Sequence, residues 1–524
     1  MPALPRLAWV AFAGGEPAVI TVFHGTSVET GPDWLVEGVW DGPFETKRFD
    51  RADHFFGSGI VCDGDRVQFV PSVALTDRIL CAESAGRLAV ANSLPLLLAA
   101  TGARLDPDHD YARESLAMLA GLADYLRDFH VLDAGGASFR QIYHERLVWD
   151  GGRATTEPRD GRREFSSYED YVTAVHACLD RLVANARGAG RRRPMDLLTT
   201  LSSGYDSTAV ATLVRDHGVR TCFTSRRSNS SLPRWLAGSM TVDDGTPTAS
   251  VLGLTTAELD VRPESVTEAE LQFLAPGTAE PEIVFHSMAM AIAASGRPAV
   301  VFTGYHGDKM WDAGTSGKYL DDQVHRGDTS GLGLSEARLA SGFINVAVPF
   351  LFARSVASLH RISHSEAMAP WRLGNSYDRP IARRIAESAG VPRHLFGMRK
   401  RAVVAYYFFP RCAALRPDYA RFLREQAGLS PAFLRLHAAL NTFAYRGARL
   451  VSYARAMAAR GGLSSPTFAL SMGTRTAFFW SHIRPPALLH RWAVDRLRSG
   501  YAAALRPVAT QFHGFFGRDR PARP

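Results

Sequence analysis

Residues 195–201 form an apolar run that leads straight into Ser202-Ser203-Gly204, and a helical pattern over 208–216 follows, ending at Gly218. A second strand pattern, 219–224, comes at once. A buried strand, a small-residue turn and a helix in immediate succession are the unit of a parallel sheet built by crossovers. Residues 258–261 alternate polar and apolar positions as a third strand, and 299–303 supply a fourth after a helix over 283–294. The expectation for this part is an α/β, doubly wound parallel sheet, followed from about residue 350 by a helical extension.

The first 150 residues follow a different rhythm. Short strand patterns at 7–12, 67–70, 88–91 and 146–149 are separated by Gly14-Gly15, Asp63-Gly64-Asp65 and Asp150-Gly151-Gly152. Such spacing indicates antiparallel β structure. Helices are expected over 93–100 and 111–126. The polar stretch 151–163 reads as a linker, and 168–186 as an amphipathic helix with Val172, Val175, Leu179 and Leu182 on one face. The expected organisation is a first unit over 1–150, a linker over 151–165, a second unit over 166–410, and a helical extension with a basic tail over 411–524.

Composition limits the function classes. The chain has 524 residues, 46% hydrophobic and 21% charged, with a formal net charge of +8. No segment combines dense Lys/Arg with interleaved aromatics, which argues against a nucleic-acid partner. Arg191-Arg192-Arg193 reads as a solvated loop. The five cysteines form no CxxC pair and no zinc spacing, and their odd number excludes complete internal pairing. No apolar run reaches the ~20 residues of a spanning helix. A cytoplasmic protein without a membrane partner is expected.

The chemistry concentrates in Leu201-Ser202-Ser203-Gly204-Tyr205-Asp206-Ser207-Thr208. Small residues at a strand's carboxyl end let backbone N–H groups and a helix N-terminus meet an anion. Asp206 would repel a triphosphate unless a cation stood between them. The spacing is not that of a Walker loop, and the loop has no lysine. Taken alone it is also the pattern of a Ser/Gly turn with a capping aspartate. A second strand, 299–303, runs into Gly304-Tyr305-His306-Gly307-Asp308, another glycine-flanked turn with an acid. Asp206 and Asp308 can then both face a magnesium pyrophosphate group from adjacent strand ends, and two such carboxylates are what holding one or two magnesium ions (Mg²⁺) requires.

The first motif resembles the SGGxDS signature of the PP-loop ATP pyrophosphatases, with Ser203 at the first glycine position. The two motifs together resemble the synthetase domain of the asparagine synthetase family, nearest to its β-lactam synthetase and carbapenam synthetase branch. The resemblance spans about residues 60–405. Tyr305 stands at the position that is Glu in asparagine synthetases and Tyr in the lactam-forming enzymes. Asn345-Val346-Ala347-Val348-Pro349-Phe350-Leu351 partly matches a further family segment, with Asn345 where the lactam-forming enzymes carry a glutamate. Arg399-Lys400-Arg401 falls where the family carries a lysine.

The resemblance implies a fold of two parts. The first is an N-terminal degenerate Ntn-hydrolase-like αββα domain, lacking the catalytic cysteine because position 2 is Pro2. The second is a C-terminal PP-loop (HUP-like) doubly wound sheet. It also implies the activity: an ATP-dependent ligase forms an acyl-adenylate from a carboxylate, releases pyrophosphate and AMP, and passes the acyl group to an amine. ATP would contact Leu201, Ser202, Ser203, Gly204, Tyr205, Asp206, Ser207, Thr224, Ser225, Gly304 and Gly307. Mg²⁺ would sit on Asp206 and Asp308. Tyr305 or His306 would assist the amine, Asn345 would neighbour Tyr305, and Lys400 or Arg399 would stabilise the oxyanion.

The expected partners are small-molecule or peptide carboxylates and amines, and a homodimer stays open. Two other readings also stay open. One is a PP-loop enzyme that modifies a nucleobase or tRNA, although no cysteine pair serves sulfur insertion. The other is a catalytically degenerate scaffold or binding protein.

Overall fold

The computed structural model describes residues 4–14, 20–64, 66–84, 86–159, 161–226, 243–259, 262–278, 281–321, 323–326, 328–398, 409–436, 439 and 485–509. They form a mixed α/β structure with two antiparallel sheets, one parallel sheet and helices around them. Among the described residues, no helix is long and apolar enough to cross a membrane.

The first sheet orders Thr21–His24 (β2), Trp9–Gly14 (β1), Arg87–Ala91 (β8), Ile79–Ser84 (β7) and Ser138–Ile142 (β9). The second orders Ala154–Glu157 (β11), Arg146–Trp149 (β10), Arg66–Val70 (β6), Phe55–Asp63 (β5), Trp34–Trp40 (β4) and Glu29–Thr30 (β3). The two-residue period of a strand sends Trp9 and Ala11 to one face of β1 and Val10 and Phe12 to the other. Trp9, Cys81 and Val90 of the first sheet meet Ile60, Phe69 and Trp149 of the second in one apolar core. Trp9 stacks on Phe69 across that core, ring centroids 6.5 Å apart. The sheets are therefore stacked face to face.

Both outer faces are covered as well. Val10, Phe12, Leu80 and Ala89 lie in the core shared with the helix Leu94–Thr101. That helix is capped by Ser93, whose hydroxyl accepts from the Leu96 amide at 3.3 Å, and the helix Pro485–Ala509 packs over it. Below the second sheet, Trp40 sits among Phe44, Phe49 and Phe55, next to the helix Tyr168–Ala186, whose Asn185 carboxamide donates to the Gly42 carbonyl at 2.7 Å.

The parallel sheet runs Thr255–Glu258 (β14), Thr221–Thr224 (β13), Asp196–Leu201 (β12), Ala299–Thr303 (β15) and Phe343–Ala347 (β16). All five residues of β15 and of β16 are buried, as expected of parallel strands covered on both faces. From β12 the chain moves outward through β13 and β14, then returns to the opposite side of β12 for β15 and β16. The strand order reverses between β12 and β15, which opens a crevice at their carboxyl ends.

A buried ion network ties the two units together. Arg338 donates to Glu37 at 2.8 Å and to Asp77 at 2.5 Å. Arg191 does the same elsewhere, donating to Glu29 at 2.6 Å and to the Gly38 carbonyl at 2.8 Å. The run at 191–193, expected in solvent, therefore includes a side chain with no exposed surface, because a buried acid and carbonyl await it.

Other expectations shift for local reasons. The helix expected over 111–126 is two short turns, Ala112–Ser115 and Ala117–Ala120. Gly121 at φ 95° turns the chain away, and the Leu122 amide then donates to Val324 at 3.0 Å. The third parallel strand is Thr255–Glu258 rather than 258–261, and residues 260–261 lie outside the described residues. The linker stretch contains β11, which pairs with β10 from Arg146↔Glu157 to Trp149↔Ala154. Its polar character suits a sheet edge. The first helix of the parallel unit begins at Tyr205, three residues before the expected Thr208.

Candidate functional site

Leu201 ends β12, and Ser202-Ser203-Gly204 carries the chain into the helix Tyr205–Arg215. Gly204 is extended (φ −82°, ψ 162°) as the residue before a helix should be. The loop is held by its own hydroxyls. The Ser202 amide donates to Ser207 Oγ at 3.0 Å, the two hydroxyls share a hydrogen bond at 2.8 Å, and the Gly204 amide donates to Ser202 Oγ at 3.2 Å. Ser203 does not have a positive φ, so serine in place of glycine carries no backbone penalty here. Its amide and hydroxyl donate to Asp243 Oδ1 at 3.0 and 2.7 Å.

The second turn leaves β15, which pairs in register with β12 at Leu198↔Val301 and Thr199↔Phe302. The turns touch. A Cβ on Gly304 would lie 2.7 Å from the Asp206 carbonyl carbon, and one on Gly307 2.5 Å from Asp206 Cγ. Both distances are closer than a side chain tolerates, so two glycines let the second turn lie directly on Asp206.

Arg379, at the start of the helix Pro380–Ser388, reaches this place from far along the chain. Its guanidinium binds the Asp206 carboxylate and lies 3.9 Å from Asp312. Burial opposes the guanidinium charge, yet Asp206, Tyr377 and Asp308 hold its pKa above the ordinary value. The guanidinium thus stands on the first of the two aspartates that the sequence singled out, within electrostatic reach of the second. Carboxylates are the hard oxygen donors Mg²⁺ takes, and in this structure Arg379 occupies the Asp206 carboxylate.

Tyr205 is fully buried against Tyr377 (4.9 Å between centroids) and Phe396. It anchors the loop from behind, where a ligand-facing role was expected. Thr224 ends β13 with its hydroxyl accepting from the Gly245 amide at 2.9 Å, and Ser225 follows it, buried. Arg399 and Lys400 lie outside the described residues.

No protein-family model matches the chain, and no curated protein is similar to it. The geometry of the site therefore has to carry the functional reading.

Tyr305 donates its hydroxyl to Glu282 Oε1 at 2.5 Å, and Glu282 also accepts from the Gly331 amide at 2.9 Å. Burial raises Glu282 to about 7 despite both hydrogen bonds. Burial, then the neighbouring Glu282, pushes Tyr305 well above the ordinary phenol value. Asn345, expected beside Tyr305, is buried and instead accepts from Thr303 Oγ1 at 2.8 Å.

His306 occupies the left-handed region (φ 72°) and stacks on Phe350 at 4.2 Å. Burial, and then the charge of Arg326, lowers it to about 3. An imidazole that resists protonation so strongly is a poor base at neutral pH.

Glu282, Arg379 and Asp243 were not foreseen in the sequence. Asp243-Asp244-Gly245 before a helix is the one local signal among them, an acidic turn of the kind that caps helices.

Proposed function

We propose that this chain is an ATP-dependent ligase of asparagine-synthetase type that activates a carboxylate as its adenylate and transfers the acyl group to an amine. In this reading the stacked sheets are an Ntn-hydrolase-like domain and the parallel sheet a PP-loop domain. The observation that carries it is the contact of the second glycine-flanked turn with Asp206 at the sheet's reversal point, with Arg379 on the Asp206 carboxylate.

The Ser202–Ser207 loop would take the pyrophosphate end of ATP, its amides and hydroxyls exchanging internal partners for phosphate oxygens. Arg379 would turn from Asp206 to the same oxygens, for which a guanidinium is well shaped. Asp206 and Asp308 would hold Mg²⁺, whose bound charge would neutralise the triphosphate. A substrate carboxylate oxygen attacks the α-phosphorus, the bond to pyrophosphate breaks, and positioning supplies most of the acceleration. The amine nitrogen then attacks the acyl carbon, and the bond to AMP breaks. Tyr305 relays the amine's proton to Glu282, whose pKa of about 7 suits an acceptor at neutral pH.

Glutamine is not the expected nitrogen source. Burial pushes Cys81 up to about 11, and the pKa of Cys62 is likewise raised by burial, so neither is a ready nucleophile.

One observation favours a scaffold instead: Asp243 occupies the Ser203 amide and hydroxyl with a carboxylate of the protein's own. Calorimetric titration of ATP with and without Mg²⁺, on wild type and on Asp206→Ala and Asp308→Ala, separates the two. Mg²⁺-dependent binding lost in both variants supports the ligase and justifies pyrophosphate exchange with candidate carboxylates. No binding by the wild type sinks it.

A further inference from the structure

A second concentration of positive charge gathers where the turn between β9 and β10, the start of β10, the segment after β11 and the segment after β16 come together. Arg159 is buried, with one nitrogen donating to the Pro71 carbonyl at 2.9 Å. Its Nε and Nη1 are buried without a hydrogen-bond partner. Arg354 donates Nη1 to the Arg159 carbonyl at 3.0 Å, and its Nε is likewise buried and unpartnered. Arg146 donates Nη1 to the Asp50 carbonyl at 3.1 Å and leaves Nε unpartnered. Buried His144 adds Nδ1, also unpartnered, from a residue held at φ 61°. Five buried nitrogens on four neighbouring side chains thus face no acceptor.

The nearby acids are already committed. Asp50 takes two hydrogen bonds from Arg48, at 3.1 and 2.8 Å, and lies 3.8 Å from Arg51. Glu157 binds Arg66 and lies 3.7 Å from Arg146 Nη2. The charges act on one another: burial, then Arg146, lowers Arg159 to about 9, and burial, then Arg159 and Arg354, lowers His144 to about 3. Natural proteins rarely leave several buried guanidinium nitrogens without acceptors, because the desolvation cost goes unrecovered. An anion would remove that cost.

We propose that Arg146, Arg159, Arg354 and His144 form a second anion site, with donors for a phosphate-class oxyanion, at the seam between the stacked sheets and the parallel-sheet unit. Five donors exceed what the two oxygens of a carboxylate accept comfortably, whereas a tetrahedral oxyanion offers more acceptors in more directions. Neutral His144 would donate from Nδ1 in the matching tautomer. The site does not depend on the ligase reading.

The test is thermal unfolding of the full chain with inorganic phosphate, at constant ionic strength against chloride. Binding to the folded state alone should raise Tm by about 2 °C near ten times Kd. Wild type and Arg379→Gln should both show the rise, and Arg159→Met should not. If Arg159→Met fails to fold, Arg354→Met takes its place. AMP in a parallel arm distinguishes the sources, read as the difference between Arg379→Gln and the Arg159→Met, Arg379→Gln double variant: a rise lost in the double variant assigns the site to phosphate esters, and no such difference assigns it to the free ion. The proposal is overturned if phosphate acts no differently from chloride. It is equally overturned if the rise survives Arg159→Met and disappears in Arg379→Gln, since phosphate would then be binding at the Asp206 loop.

Discussion

Tyr305 and Glu282 share a 2.5 Å hydrogen bond in which the phenol donates and the carboxylate accepts. The acid comes from just before the helix His286–Ser295, and the phenol from the turn after β15. If this pair relays the amine's proton, Tyr305→Phe and Glu282→Gln should leave pyrophosphate exchange nearly intact. Amide formation should fall by about 10²–10⁴-fold, the usual reach of general acid–base catalysis. Glu282 must be ionised to accept the proton, and burial places its pKa at about 7. The wild-type amide-forming rate should therefore climb as pH rises through about 7, and the Glu282→Gln profile should be flat there. Equal losses in both half-reactions would point to a structural role.

Gly307→Ala tests the contact of the two turns. Its Cβ would stand 2.5 Å from Asp206 Cγ and 2.6 Å from Asp206 Oδ1, so Asp206 or the second turn must move. A displaced ligand costs more in binding than in folding when the rest of the site stays packed. Mg²⁺-dependent ATP affinity should drop by more than about tenfold, with far-UV circular dichroism unchanged. An unaltered affinity would mean that Asp206 is not at the ATP site.

Arg191→Met should destabilise the junction of the two units. The substitution leaves Glu29 buried opposite an apolar side chain and removes the donor to the Gly38 carbonyl. Breaking one side of a buried pair costs about 3–5 kcal/mol. Urea unfolding of the variant should begin at clearly lower denaturant than wild type. Arg193→Met, three residues into the same run, is the control expected to change little.

The parts of the site that were legible in the sequence are those made by neighbours in the chain. A strand, a Ser/Gly turn and a helix announce themselves within a dozen residues, and so both turns could be read where the structure has them. What completes the site comes from afar. Glu282 precedes Tyr305 by 23 residues, Asp243 follows Ser203 by 40, and Arg379 follows Asp206 by 173. A lone acid or arginine gives no periodic signal, and its pairing is set by tertiary packing. Arg191 failed for the same reason: its partner Glu29 is 162 residues away. The helix expected over 111–126 failed differently, because its apolar spacing was met by contacts with the second unit.

Glu336 gives the chain a pH-dependent stability that can be read directly. It sits in the helix Ser335–Ser341, buried, accepting from Ser93 Oγ at 2.8 Å and from the Leu94 amide at 3.2 Å. Burial raises its pKa from 4.5 to about 7, against the pull of those hydrogen bonds and of Arg78 and Arg338. Between about pH 4.5 and 7 the folded chain keeps a proton that the unfolded chain has released, so stability falls as pH rises through this window. The loss attributable to Glu336 is about 3–4 kcal/mol, complete above the folded pKa. Glu282, raised for the same reason, adds a loss of the same sign. Glutamine imitates the protonated acid in shape and cannot ionise. Glu336→Gln should match wild type near pH 4.5 and exceed it by about 3–4 kcal/mol at pH 8, measured by urea unfolding at both pH values. If the two proteins instead differ by the same amount at both, the carboxyl is ionised throughout. The interface of the helix Leu94–Thr101 with the helix Ser335–Ser341 would then be holding a buried charge rather than a buried acid.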